Sequence, residues 1–394
     1  MKNALEGLRV IDLGNVLAGP FTTTMLADFG ADVIKCEVPD GGDLIRGMGR
    51  IKDLWYAVEN RNKRNITLNL KTEKGKELLW DLLKDADVVV ENFRPGVFKR
   101  LGFTWEKMHE HNPRLIYCSA SGYGQTGPNS HKPAFDRIGA AQGGLLHVTG
   151  FPDGPPIKAG LSVVDFLTAQ YGVIGIMFAL YSRDVLGTGV GQHIDACLTE
   201  SVIRITESIL AEYSYEGYIR NRTGNAMLVT IPSGHFLTKD NEYLILTVAG
   251  DKVFEAFARN IGRPDLLESE EYSTAAGRTR NREELNQLAA DWAKEHTIDE
   301  CLAALGDDVP NCKAYNAADI ASDPHFKFRE AIVKVQTEKF GEILMQNAVP
   351  KMSGTPGKVK WPGGALGLYN DEVYTDVLGL SKEKIEELKA EGVI

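Results

Sequence analysis

A chain of 394 residues with 43% apolar content exceeds the usual size of one compact domain, so two domains with separate cores are expected. A formal charge of −10 gives an average surface that repels nucleic acid and anionic lipid, which argues against either as a partner. The five cysteines, Cys36, Cys118, Cys197, Cys301 and Cys312, are odd in number and widely spaced without a C-x-x-C. That pattern indicates neither a disulfide framework nor a zinc site and fits a reducing cytoplasm.

In chain order, the opening "MKNALEGLRVIDL" has no apolar run with a small-residue cleavage site and is not read as a signal peptide. Apolar, β-branched runs then recur: "LRVIDL", "ADVIKCEV", "NITLNL", "DVVVENF" and "RLIYCSAS". Between them lie segments of helical period, such as Phe21, Met25, Leu26 and Phe29, and later Leu78, Leu79, Leu82 and Leu83. Strand and helix in alternation predict an α/β fold, doubly wound, with a mostly parallel sheet covered on both faces. A long apolar helix is expected after Ser162, carrying Asp165 at its head; its polar residues and glycines favour a buried helix over a membrane span. "GQHIDACL" reads as a further strand, and "TESVIRITESILAEYSYEG" as one helix ending near Gly217. From residue 218 to 330 a hairpin in "GHFLTKDNEYLILTVAG" and short amphipathic helices predict a smaller α+β domain. Strands return after residue 331, so the large domain is taken as 1–217 completed by 331–394, closed by two short helices.

"GYGQTG" (Gly122, Gly124, Gln125, Gly127) matches G-x-G-x-x-G behind a strand. Pro128, Asn129 and Ser130 follow instead of a helix, and His147 stands where the acidic ribose ligand belongs. Dinucleotide binding is therefore rejected, and no nucleotide cofactor is expected. Walker A, G-x-S-x-G, H-E-x-x-H and EF-hand patterns are missing, and no metal is expected. Basic residues gather in two places, Arg61, Lys63, Arg64 and Lys71 in one and Arg94, Lys99 and Arg100 in the other. The second cluster follows a presumed parallel strand, where ligands bind in such sheets, so the pair points to a polyanionic small molecule. For Asp165 two compatible readings stand. Ser162-Val163-Val164-Asp165 fits a capping box. A carboxylate at a helix N-terminus is also held ionised by the dipole and free N–H groups, as a nucleophile requires.

With "LEGLRVIDLGNVLAGPFTTTMLADFGADVIKCEVPDGGD", "NRNKRNITLNLKTEKGKELL", "ADVVVENFRPGVFKRLGFTW", "NPRLIYCSASGYGQTGP" and "PAFDRIGAAQGG" in this order, the chain resembles the class III CoA-transferases over nearly its whole length. The resemblance implies an enzyme moving CoA from an acyl-CoA to a carboxylic acid through an aspartyl-CoA thioester on Asp165. It implies CoA contacts at Val16, Leu17, Ala18, Leu68, Lys71, Asn92, Phe93, Arg100 and Leu101, and an interlocked homodimer. Backbone amides around Gly122, Gly124 and Gln125 are the candidate oxyanion donors, and Phe135 and Asp136 the acceptor-side wall. Two departures stand out by the same resemblance: Leu17 replaces a polar residue of the formyl-CoA enzymes, and their glycine-run loop is not visible in "TGNAMLVTIPSGH". The α-methylacyl-CoA racemases of this family keep a histidine where Phe135 stands, and a phenyl ring exchanges no proton. Racemisation and non-catalytic CoA-ester binding are the alternatives. The acids exchanged stay open among small di- or hydroxycarboxylates, aryl acids and larger steroidal or betaine acids.

Overall fold

The computed structural model describes residues 3–226 and 230–394. The chain divides into two units, one of Met1–Leu145, Lys158–Tyr218 and Pro324–Ile394, the other of Leu146–Ile157 and Ile219–Asp323.

In the first unit β1 (Arg9–Asp12), β2 (Asp32–Glu37), β3 (Arg64–Thr67), β4 (Val88–Glu91), β5 (Ile116–Ser121) and β6 (His193–Cys197) form one sheet in the order β3-β2-β1-β4-β5-β6. Every pairing in it is parallel. The helices up to residue 216 are α1 (Ala18–Asp28), α2 (Leu54–Glu59), α3 (Glu73–Lys84), α4 (Val97–Arg100), α5 (Trp105–His111), α6 (Asp136–Gln142), α7 (Leu145–Val148), α8 (Val163–Leu180), α9 (Leu198–Ile203) and α10 (Ile209–Glu216).

Alternation along β1 and β4 distributes side chains to two cores. Val10, Val88 and Val90 pack with Leu26 of α1 and Ile176 of α8 on one face. Ile11 and Val89 pack with Leu78, Leu79, Leu82 and Leu83 of α3 on the other. Strands sealed on both sides need the near-continuous apolar runs seen in the sequence, and each such side chain withdrawn from water contributes about 1.5–3 kcal/mol.

Two expected helices differ in the structure. α8 is a surface-lying helix, not a fully buried one: Val164, Thr168, Ala169, Gly172 and Ile176 are buried, while Ile174, Met177 and Phe178 are exposed. Glycine permits the close approach of its inner face, since a Cβ at Gly175 would sit 2.8 Å from Ile194. The single helix expected over 199–217 is broken into α9 and α10, with Glu207 at φ 52 between them. The Thr206 hydroxyl there donates back to the Ile203 carbonyl at 2.9 Å, a local bond that competes with helix continuation.

The second unit holds antiparallel β7 (Ser233–Leu237), β8 (Tyr243–Thr247) and β9 (Asn311–Lys313). Its helices are α11 (Asp251–Asn260), α12 (Ala275–Arg280), α13 (Arg282–Glu295), α14 (Ile298–Leu305) and α15 (Ala317–Ser322), around a core that includes Phe254, Phe257 and Leu285. The expected absence of a glycine-run loop in "TGNAMLVTIPSGH" falls in part on residues 227–229, outside the described residues. Back in the first unit come α16 (Pro324–Phe328), the hairpin β10 (Ile332–Thr337) and β11 (Gly341–Gln346), then α17 (Asn370–Asp376) and α18 (Lys382–Ala390). α17 seals the sheet edge: Asn370 Oδ1 accepts from the Thr67 N–H at 2.8 Å, and the Tyr374 hydroxyl donates to the Thr67 carbonyl at 2.6 Å.

Candidate active site

Strand order reverses between β1 and β4, and the loops leaving their carboxyl ends open the crevice where ligands bind in such sheets. A reciprocal amide pair ties the two loops together. The Asn15 N–H donates to Asn92 Oδ1 at 2.7 Å, and Asn92 Nδ2 donates to the Asn15 carbonyl at 2.8 Å. Val16, next in the turn, has φ 65, a costly conformation for a β-branched residue. It is held there by its N–H donating to Asp43 Oδ1 at 2.8 Å.

Around this point lies a cavity of about 310 Å³ whose walls include Val16, Leu17, Ala18, Asn92, Phe135 and Asp165. A larger groove of about 680 Å³ is lined by Leu68, Lys71 and Leu101 among others, and Asn15 and Phe93 line both spaces. The residues expected to hold CoA thus divide between the two, except Arg100, which is exposed on α4 and lines neither. Phe93 is itself fixed by a buried carboxylate. Its N–H donates to Glu91 Oε2 at 2.5 Å, and the Tyr117 hydroxyl donates to Glu91 Oε1 at 2.7 Å. Burial lifts the Glu91 carboxyl to about 7 against these hydrogen bonds.

Asp165 does not act as the expected capping-box partner. Ser162 stands at the N-cap of α8 but makes no side-chain cap. Asp136 takes that place instead, its Oδ2 accepting from the Val164 N–H at 2.8 Å. Asp136 is buried and is a helix cap rather than a wall of the cavity, whereas Phe135 lines it and is 72% exposed. The Asp165 carboxylate is pushed up to about 7 by burial first and by the Asp136 charge second, with Lys158 offsetting part of the rise. The expectation that free N–H groups hold it fully ionised is therefore reversed in direction.

The glycine loop behind β5 contributes less than expected. Gly122 lines the cavity and packs so closely that an added Cβ would lie 2.3 Å from the Ala134 Cβ. Gly124 and Gln125 line neither space. Their amides are already used, Gly124 N–H donating to Ser121 Oγ at 3.0 Å and Gln125 N–H to Asp195 Oδ2 at 2.8 Å. Those two amides are not oxyanion donors in this arrangement.

The first basic cluster is also corrected. Arg61 pairs with Asp28 at 2.6 Å, Lys63 with Asp12 at 2.9 Å and Arg64 with Asp32 at 2.6 Å. Lys63 is completely buried, and burial lowers its ammonium to about 8 despite Asp12. Its Nζ also donates to the Pro20 carbonyl at 2.7 Å and to Asn60 Oδ1 at 2.9 Å, so it braces the first turn of α1 from within. Of the four cations only Lys71 reaches the groove. Asn15, Ser121 and Lys132 also line the cavity, outside the residues expected from the sequence. The only sequence signal for Asn15 was its place in the turn behind β1.

Among the described residues no cluster of three or more His, Cys, Asp or Glu side chains is placed to hold a metal. Over residues 5–368 the sequence matches CoA-transferase family III. The chain belongs to that family. This CoA-transferase is 41% identical to the succinyl-CoA–D-citramalate CoA-transferase of Chloroflexus aurantiacus, over 99% of this chain and 98% of the relative. It is 38% identical to the succinyl-CoA–L-malate CoA-transferase beta subunit of the same organism, over 99% and 98%. Among solved structures, a CAIB/BAIF family protein from Brucella suis superposes with a TM-score of 0.87 at 32% identity, covering 96% of this chain and 100% of that one. The six-stranded parallel sheet is that of the α/β class expected from the sequence.

Proposed function

We propose that this CoA-transferase carries CoA between two carboxylic acids through a covalent aspartyl thioester on Asp165. The observation that carries the reading is a carboxylate with no hydrogen-bond partner among the described residues, lining a cavity that shares Asn15 and Phe93 with a larger groove. The small space takes the acyl group and the larger one the pantetheine and nucleotide. Lys71 in the groove, with Lys99 and Arg100 exposed on α4, supplies positive charge for the phosphates.

One Asp165 oxygen attacks the thioester carbon; the C–S bond breaks, and CoA leaves as thiolate from an acyl-aspartyl anhydride. The thiolate attacks Asp165 Cγ, the anhydride C–O bond breaks, and the donor acid departs as carboxylate, leaving the aspartyl-CoA thioester. The acceptor carboxylate attacks the same carbon and expels the thiolate again. That thiolate then attacks the acceptor's acyl carbon and returns Asp165 as carboxylate. No proton is gained or lost over the cycle. The N–H groups of Leu17 and Ala18, at the start of α1 and on the cavity wall, replace those of Gly124 and Gln125 as oxyanion donors. The relatives' names support succinyl-CoA as donor and a small hydroxy diacid as acceptor. Racemisation is disfavoured because Phe135 occupies the cavity wall where a proton-exchanging base would be needed.

The test is peptide mass spectrometry after incubation with succinyl-CoA and hydroxylamine trapping. Hydroxamate on the Asp165 peptide, absent in Asp165→Asn, is expected. CoA-ester binding without any adduct would return the chain to the binding-protein alternative.

A further inference from the structure

The cavity that holds Asp165 is lined by two cations the reaction scheme leaves unused, Arg94 and Lys132. Both side chains are exposed in a protein of net charge −10, and among the described residues neither is matched to a carboxylate. They are built next to each other. Arg94 Nε donates to the His131 carbonyl at 2.9 Å, and Nη2 donates to the same oxygen in a shorter contact. That pair of bonds fastens the segment carrying Lys132 and Phe135 to the loop behind β4. It uses two of the five guanidinium N–H donors and leaves the Nη1–Nη2 edge open, the edge that meets a carboxylate in bidentate fashion.

A monocarboxylic acyl group would need nothing from this pair. The reacting end of any acyl group is already answered by Asp165 and the start of α1, and the walls beside it, Leu17, Phe93 and Leu198, are apolar. An acid with a second carboxylate meets a different problem, because Asp165 lines the cavity and the Asp136 carboxylate stands behind it, already paired with Lys158 at 3.7 Å. Bringing another anion in costs free energy unless a cation receives it. We propose that Arg94 and Lys132 are the specificity-determining pair that receives the distal carboxylate of a dicarboxylic substrate. The proposal rests on the covalent reading of Asp165. It assigns the donor and acceptor to one subsite, because each acid in turn forms its anhydride on Asp165.

The experiment compares succinyl-CoA with butyryl-CoA, which present the same CoA moiety and a four-carbon acyl group with or without the terminal carboxylate. Single-turnover rates of Asp165 acylation are followed by hydroxylamine trapping. Wild-type enzyme is expected to label faster with succinyl-CoA by about ten- to a hundredfold, the worth of a hydrogen bond to a charged group. Arg94→Gln and Lys132→Met should each erase most of that preference while the butyryl-CoA rate stays within about threefold of wild type. Arg94→Lys should restore part of it. Lys132→Met decides the matter if loss of the His131 contact unfolds the Arg94→Gln protein. Equal slowing with both thioesters would overturn the proposal by assigning the cations to CoA, as would a wild-type enzyme indifferent to the carboxylate. If neither thioester labels Asp165, the covalent reading itself fails and takes this one with it.

Discussion

Lys63 and Lys71 stand eight positions apart in one basic stretch, and the structure gives them unrelated work. Lys63 is completely buried, with its ammonium on Asp12, the Pro20 carbonyl and Asn60. Replacing it leaves Asp12 beside Lys35 with one buried partner fewer. Removal of one member of a buried ion pair costs roughly 3–5 kcal/mol. Lys63→Met should therefore lower stability by about that much in denaturant melts. Lys71→Met should melt within about 0.5 kcal/mol of wild type, the usual range for a surface change, and instead raise the KM for acyl-CoA. A Lys71 variant with unchanged KM, or a Lys63 variant as stable as wild type, would contradict this division.

At the scale of the element, the start of α8 sets the chemistry of Asp165. Asp136, from the start of α6, accepts from the Val164 N–H, the donor that the N-cap Ser162 side chain leaves unused. It also places a negative charge near Asp165. Because only the carboxylate form is a nucleophile, acylation should rise with pH through a midpoint near the Asp165 value of about 7. Asp136→Asn removes the neighbouring charge while keeping an oxygen to cap α8. Its midpoint should move to lower pH, whereas a merely structural role would change rate without moving the profile. The sign for folding runs the same way. The Asp165 carboxyl is raised above its unfolded value of 3.8, so folding is favoured with Asp165 protonated, and that contribution is lost as pH rises toward 7.

For the whole molecule, the outer face of α8 asks for a partner. Ile174, Met177 and Phe178 are exposed along it, Phe178 by 70%, and the chain continues through exposed Tyr181 into Val185 and Leu186, both 65% exposed. Contiguous apolar surface of this kind marks an interaction site, and a second copy of the chain is the partner we propose. Sedimentation should give a mass near twice 43.3 kDa, and Phe178→Asp should shift it toward the monomer. A wild-type monomer at micromolar concentration would exclude the dimer.

Strand positions and their parallel pairing were legible because burial on both faces demands apolar, β-branched runs, a requirement local in sequence. "DVVVENF" and "LRVIDL" carried it without outside help. Asp165 stood out for the same local reason, a lone acid heading an apolar helix, and the family resemblance supplied its role. What the sequence left undecided was every pairing between distant residues. Lys63 meets Asp12 across 51 positions, Val164 meets Asp136 across 28, and Asn15 meets Asn92 across 77. A basic residue reads the same in sequence whether it faces a phosphate groove or a buried aspartate, and a Ser-x-x-Asp reads as a capping box until another helix supplies the cap. Composition and periodicity determined which segments form the sheet and its covering helices. Only the tertiary structure decided which charges are spent holding that scaffold and which are left in the cavity, because charge pairing depends on distance in space and on exclusion of water.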